Sequence, residues 1–154
     1  MRSTASRAIA FGLAVLFVLV WILHTKRTAA AAQTSKSYHI VRLYTGPDGL
    51  THSEDIEAPA GPNGVVQLMP VTGAEVHRSA PGTVVNWHTE ARRQYVITLS
   101  GHGELEIGEG KKIAVGPGDI ELIQEEATGK GHITRVIGTE ERVALWLPLA
   151  DQTH

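Results

Sequence analysis

Residues 82–101, GTVVNWHTEARRQYVITLSG, bring together side chains that could hold a metal ion or a small polar ligand. His88 and Glu90 are two residues apart, so on a β-strand their side chains point to the same face. Gln94 follows across a short turn, where it begins the next apolar run and can meet them. An imidazole, a carboxylate and an amide on neighbouring strands can bind a divalent metal, or they can hydrogen-bond one another in a metal-free pocket.

The amino-acid composition limits the kinds of site and of partner that the chain can have. The chain has 154 residues and no cysteine, which removes disulfides, thiolate catalysis and cysteine zinc sites. Any metal must therefore be held by nitrogen and oxygen ligands. All 16 acidic residues but only 10 of the 14 Lys and Arg lie after residue 33. The formal net charge of that part of the chain is therefore −6 (10 − 16). Such a surface argues against a nucleic-acid partner.

The spacing in the opening stretch resembles the first motif of the cupin family. Five residues separate Gly82 from His88, one separates His88 from Glu90, three separate Glu90 from Gln94 and six separate Gln94 from Gly101. Glu90 stands where cupins have a second His, and Gln94 stands where they have a Glu. The resemblance implies an all-β fold, the cupin double-stranded β-helix or jelly-roll barrel, with polar side chains gathered at its mouth.

A partial second cupin motif follows. Gly129 and His132 keep its Gly-x2-His step in a TGKGH sequence found in some small single-domain cupins. Eight residues rather than five follow Gly118, Ala127 replaces a Pro, and Val136 replaces an Asn. The resemblance implies a metal site for a divalent ion such as Fe²⁺ or Mn²⁺, held by His88, Glu90, Gln94 and His132. The alternative is that these residues only hydrogen-bond one another.

Two residues beside the first motif are candidates to bind a ligand. Arg92 and Arg93 lie in the turn before Gln94, where they are solvated or where one of them, Arg93 being our candidate, holds a ligand carboxylate by a forked contact. Tyr95 follows Gln94, and it packs in the core or lines the ligand pocket. The run QEEATGKGH (124–132) is a surface loop or a flap over the pocket.

Short apolar runs between Gly, Pro and polar turns fill the chain from Tyr38 onward. They predict an antiparallel barrel without a long helix over residues 38–154, and the exposed edge of the first run suggests a homodimer. The predicted strands are YHIVRLYT (38–45), VVQLMPV (65–71), AEVHRSA (74–80), TVVNWHTE (83–90), QYVITLS (94–100), GELEIGE (103–109), KKIAV (111–115), DIELIQ (119–124), HITRVIG (132–138) and RVALWLPL (142–149).

Residues 1–37 differ from the rest of the chain in composition. The segment from Ala8 to Leu23 is 16 residues long without a charge, and basic residues flank it on both sides. It predicts an N-terminal hydrophobic helix that anchors the protein in a membrane by a single pass, or a signal segment that is cut near Ala32 and leads to secretion. The polar, alanine-rich residues 24–37 form a linker.

Three functions are compatible with these features. The first is a metal-dependent enzyme that acts on a small organic molecule, with an open coordination position at the metal. The second is a metal-free module that shelters a small ligand in the barrel. The third is metal-free acid/base catalysis of an isomerisation by His88 or His132. Cupins include enzymes and binding proteins, so the resemblance does not choose between these functions. Bound metal discriminates the first two.

Overall fold

The computed structural model describes residues 37–61 and 63–153. The apolar segment 8–23, and with it the predicted anchor or signal, lies outside these residues. Within the described part of the chain, no helix combines the length and the hydrophobicity that a membrane crossing requires. A compact unit, Lys36–His154, holds all the described strands.

The described residues form ten strands and one short 3₁₀ turn, Gly108–Gly110. The predicted all-β fold without a long helix is therefore confirmed for this part of the chain. The strands are β1 (Tyr38–Thr45), β2 (Thr51–Ala58), β3 (Glu75–Ser79), β4 (Val84–His88), β5 (Gln94–Ser100), β6 (His102–Glu106), β7 (Lys112–Val115), β8 (Ile120–Gln124), β9 (His132–Ile137) and β10 (Arg142–Pro148).

Two sheets make up the barrel. The larger has the strand order β2-β1-β8-β5-β10-β3, and the smaller has the order β4-β9-β6-β7. From β3 to β10 the chain crosses repeatedly from one sheet to the other, which is the path of a double-stranded β-helix. One pair departs from the antiparallel prediction, because β1 and β8 are parallel. The long connection between these two strands permits either direction.

One strand was missed and one predicted strand was wrong. Residues 51–58, THSEDIEA, form β2 and pair with β1 along its whole length, but their polar side chains carry no apolar alternation. Charged side chains are typical of an edge strand. Residues 65–71 are apolar but cross the outer face of the large sheet without pairing, apart from a bridge between Val71 and Leu149.

The predicted dimer edge was also wrong. Strand β1 lies between β2 and β8, so its backbone groups are already paired on both sides. In the large sheet the edge strands are β2 and β3. Dimerisation itself stays a prediction, without the edge that motivated it.

Side-chain alternation divides the core into two clusters on opposite faces of the large sheet. Leu43, Val96 and Ile123 pack inside the barrel with residues of the small sheet. Tyr95 and Leu122, next to them in sequence, pack outside. The same alternation turns Gln94 into the barrel. Since this face is otherwise apolar, its polar residues must satisfy one another.

Candidate functional site

The structure brings the four side chains of the two motifs together at one end of the barrel. His88 lies directly opposite His132 across the β4–β9 pair, and their ring centroids are 4.5 Å apart. His88 Nε2 is 3.6 Å from Glu90 Oε1. One ligand atom from each of His88, Glu90 and His132 lies within 4.8 Å of the other two. Gln94 donates to Glu90 Oε2 at 3.1 Å.

An irregularity in β4 orients His88. The register of β4 against β9 shifts between Val85 and His88. These residues are three apart, so on an ideal strand they would face opposite sides. Because of the irregularity, both side chains line the same cavity.

Hydrogen bonds at Nδ1 leave Nε2 of both histidines available to a metal. His88 Nδ1 lies 2.8 Å from the carbonyl oxygen of Asn86, and His132 Nδ1 lies 2.9 Å from both carboxylate oxygens of Glu125. A carbonyl and a carboxylate can only accept, so the neutral form of each ring carries its hydrogen on Nδ1. The lone pair is then on Nε2, where a metal needs it.

Glu125 is the functional residue that the sequence analysis missed. It is buried, and besides His132 it accepts a hydrogen bond from Thr51 Oγ1 at 2.8 Å. Glu125 lies in the charged run QEEATGKGH, and such a run is typical of a solvated loop, so the sequence did not indicate that this residue is buried. A signal was present: Glu121, Ile123 and Glu125 are spaced by two, which places Glu125 on the inward face of β8 if the strand is extended by one residue.

Gln94 supports Glu90 with one end of its amide and meets Arg92 with the other. Its Nε2 donates to Glu90, and its Oε1 accepts from Arg92 Nε at 3.2 Å. The opposite orientation would set the amide oxygen against a carboxylate and the NH₂ group against a guanidinium, so the network fixes this one. The amide oxygen, the atom that would bind a metal, is thus turned to Arg92.

Arg92 links the site to the edge of the large sheet. Its Nη2 donates to Glu75 Oε2 at 2.7 Å, and that same oxygen lies 3.1 Å from His77 Nε2. The His77 ring stacks on Trp146 with centroids 4.1 Å apart. Arg92 is therefore a bridge between strands rather than a free turn charge.

The second glycine of TGKGH, Gly131, holds the loop against β4. A Cβ atom on Gly131 would lie 1.9 Å from the backbone oxygen of His88, and the φ angle of Gly131 is +73°. Lys130 Nζ lies 3.9 Å from the ring centroid of the exposed Trp87. Only glycine fits at 131, and its close approach to His88 sets the position of the adjacent His132.

Arg93 and Tyr95 lie away from this pocket, on the outer side of the large sheet. Arg93 Nη1 donates to the carbonyl oxygen of Thr153, and its backbone N–H donates to Gln152 Oε1 at 2.8 Å. The Tyr95 ring packs in the outer cluster, and its hydroxyl accepts from Met69 N–H at 3.3 Å. The alternation of side-chain directions along an extended chain explains both positions, since residues 93 and 95 share the face opposite to Gln94.

A cavity of about 310 Å³ opens beside His88 and Glu90, between β3 and β10 on one side and β4 and β9 on the other. Ten residues line it: His77, Arg78, Ser79, Val85, His88, Glu90, Thr134, Arg142, Ala144 and Trp146. Glu90 also borders a second cavity of about 430 Å³ that includes Glu125. The polar cluster can therefore be reached from two sides.

Buried charges surround the cluster. Arg142 Nη2 donates to Glu121 Oε1 at 2.5 Å, and both residues are buried in the barrel. Burial raises the pKa of Glu121, although the Arg142 charge opposes the rise. The neighbouring Glu90 carboxylate raises the pKa of His88, with burial acting in the opposite direction.

Comparisons with known proteins found similar solved structures only. No protein-family model and no curated protein matches the sequence. An uncharacterized conserved protein with a double-stranded β-helix domain from Klebsiella pneumoniae is 21% identical, over 52% of this chain and 69% of that chain, with a TM-score of 0.41. A cupin domain from Bordetella pertussis is 18% identical, over 55% of this chain and 99% of that chain, with a TM-score of 0.38.

A third similar structure, a predicted oxalate decarboxylase from Thermotoga maritima, is 15% identical, over 76% of this chain and 96% of that chain, with a TM-score of 0.41. Two of these three proteins are described as a double-stranded β-helix domain and a cupin domain. At these identities and TM-scores, the chemistry of the site has to be derived from its own residues.

Proposed function

We propose that His88, Glu90 and His132 bind one divalent first-row metal ion, and that the protein acts on a small organic molecule at this ion. The convergence of the three ligand atoms within 4.8 Å supports the proposal. Two imidazoles and one carboxylate are the facial donor set that suits non-haem Fe²⁺ and leaves coordination positions open. Mn²⁺ is compatible with the same nitrogen and oxygen donors.

Charge supports the same assignment. Glu90 and Glu125 face two imidazoles whose neutral forms present Nε2. Two other carboxylates near the site, the exposed Glu75 and the buried Glu121, are paired with Arg92 and Arg142. Neither Glu90 nor Glu125 contacts a Lys or Arg in the described part of the chain, so with both imidazoles neutral the cluster carries a formal charge of −2, which one divalent cation neutralises. Without a cation, two carboxylates in a mostly buried cluster are costly.

The hydrogen-bond partners of the ligands fit a metal centre as well. Glu125 orients His132 through Nδ1, the Asn86 carbonyl orients His88, and Gln94 holds Glu90. Such partners fix the ring orientation and raise the basicity of the ligands. When bound, the ion would polarise a carbonyl oxygen or activate oxygen at an open position. The chain's own contribution is to position the ligands and to shape the cavity of about 310 Å³ beside them.

A metal-free binding module is the second candidate, and one contact favours it. His88 Nε2 lies 3.6 Å from Glu90 Oε1, so a protonated His88 can pair with Glu90 without an ion. Metal titration of the full-length protein separates the two candidates. The enzyme proposal expects one equivalent of tightly bound Fe²⁺ or Mn²⁺ that is lost in His132→Ala; a folded protein that binds neither ion supports the module.

We also propose that the apolar segment 8–23 places this domain at or beyond a membrane. Its length and its flanking charges support an anchor or an export signal.

A further inference from the structure

The cavity beside the proposed metal site contains a buried cation with unused hydrogen-bond donors. Arg142 Nε and Nη2 donate to Thr98 Oγ1 at 3.2 Å and 2.8 Å, and Nη2 also donates to Glu121. Among the hydrogen bonds of the described residues, Nη1 takes part in none. The Arg142 side chain is 8% exposed, and it lines the cavity.

The neighbours of Arg142 in the cavity wall are small, hydroxylic or apolar. Ser79 lies opposite Arg142 in the β3–β10 pair, and Thr134 lines the cavity from β9. Val85, Ala144 and Trp146 supply an apolar surface. Charge-assisted hydrogen bonds from a guanidinium to a carboxylate are roughly twice as strong as neutral ones, and a shielded site strengthens them further.

We infer that this cavity binds a small organic carboxylate, with the carboxylate on Arg142 Nη1 and the apolar part against Val85, Ala144 and Trp146. The inference rests on the proposed function, since it names the ligand class of the same site. His88 and Glu90 border the same cavity, so a ligand that fills it reaches both Arg142 and the metal ligands. A volume of about 310 Å³ suits a molecule with one small ring or a short chain.

Calorimetric titration of the full-length protein with benzoate, benzamide and benzylamine tests the inference. The three probes share a ring and differ in charge. We expect benzoate to bind at least about tenfold more tightly than benzamide, a difference of about 1.4 kcal/mol, and benzylamine to bind most weakly. Equal binding of benzoate and benzamide, or no benzoate binding to the folded protein, would overturn the inference.

Two variants locate the binding. Replacing only Arg142 would leave Glu121 as an unpaired buried charge, so the double variant Arg142→Met with Glu121→Leu removes the whole pair. It should lose the preference for benzoate and still bind metal. The control is Arg135→Met, because Arg135 lies on the outer face of β9 and pairs with Glu104 and Glu106. If the double variant does not fold, Val85→Phe, which fills the cavity from a partly exposed position, should abolish benzoate binding.

Repeating the titrations with chelator separates this inference from the metal proposal. Benzoate binding that persists without metal and disappears in the double variant supports the Arg142 site even if no metal binds. A protein that binds metal but does not distinguish benzoate from benzamide keeps the proposed function and loses this inference. Benzoate binding that requires metal and survives the loss of Arg142 places the carboxylate on the ion, and it also contradicts the inference.

Discussion

Both oxygens of the Glu125 carboxylate lie 2.9 Å from His132 Nδ1. The two side chains are 0% and 3% exposed, so water does not compete for this contact. Carboxylate–histidine–metal arrangements of this kind orient the ring and strengthen its other nitrogen as a ligand. The buried pair thus gives His132 a fixed direction before any ion binds.

Replacing Glu125 should weaken metal binding without removing a ligand. We expect Glu125→Gln to lower the affinity for Fe²⁺ or Mn²⁺ by about 10- to 100-fold, because the amide cannot match the charge of the carboxylate on His132. Glu126→Gln, at the exposed neighbouring position, is the matched control and should leave the affinity unchanged. Equal affinities of the two variants would show that Glu125 does not act on the metal ligand.

Gln94→Glu should make stability depend strongly on metal. The substitution places a second carboxylate about where the Gln94 amide lies 3.1 Å from Glu90, and two unshielded carboxylates at that distance repel each other. We expect the metal-free variant to unfold at lower urea concentration than the wild type, and the metal-loaded variant to unfold at higher concentration. Urea denaturation with and without added Mn²⁺ measures both. A variant that metal does not stabilise more than the wild type would contradict the proposed ion position.

The metal-free and metal-loaded proteins should respond to pH in opposite directions. The folded-state pKa of His88 is raised by Glu90, so their pairing stabilises the metal-free protein below about pH 6.5, the unfolded value. This stabilisation is lost as pH rises through the folded-state pKa. A metal needs the neutral imidazole, so its affinity should instead fall as pH drops, beginning above about pH 6.5.

Urea denaturation of the wild type and of His88→Gln between pH 5.5 and 8.5, with chelator and then with metal, checks the two pH slopes. His88→Gln should show a smaller change of metal-free stability with pH. The same slope in both proteins would exclude the His88–Glu90 pair as its source.

Gly131→Ala should be far more destabilising than Gly110→Ala. Both glycines have a φ angle near +75°, but the new Cβ would lie 1.9 Å from the His88 oxygen at residue 131 and would meet nothing within 4 Å at residue 110. Gly110→Ala should cost about 1–2 kcal/mol of unfolding free energy from backbone conformation alone. Gly131→Ala should cost more and should also weaken metal binding, because it pushes His132 away from His88. Similar losses at the two positions would mean that the close backbone approach has no role.

The N-terminal segment makes a separate prediction about location. If residues 8–23 form an anchor, the mature protein should keep its N-terminus and sediment with membranes. If they form a signal, mass measurement should find a start near Ala32 or Gln33. A full-length protein that is recovered entirely without membranes would contradict both alternatives.

The parts of the site that depend on local spacing were accessible from the sequence. His88 and Glu90 follow the two-residue period of a strand, and the Gly-x2-His step marked His132. Strand pairing then brought His88 and His132 face to face. The all-β barrel was predictable for the same reason, since most of its strands are short runs of alternating apolar and polar residues that end at Gly or Pro turns.

The missed features depend on contacts between distant segments. Glu125 belongs to a charged run, and only Thr51, 74 residues away in the chain, and His132 show that it is buried. The orientation of the Gln94 amide is set by Arg92, whose charge is in turn paired with Glu75. The side chains of strand β2 show no apolar alternation, and only its backbone pairing with β1 identifies it as a strand. The sequence pattern therefore could not predict it.

Elemental analysis of the full-length protein, purified without chelator and followed by Fe²⁺ and Mn²⁺ titration, tests the central proposal most directly. We predict one equivalent of metal in the wild type, loss of that metal in His88→Ala and His132→Ala with the β-sheet circular dichroism unchanged, and retention in His102→Ala, a histidine outside the cluster. The absence of bound metal from the folded wild type and from Gln94→Glu, at any concentration of either ion up to the millimolar range, would contradict the metal centre.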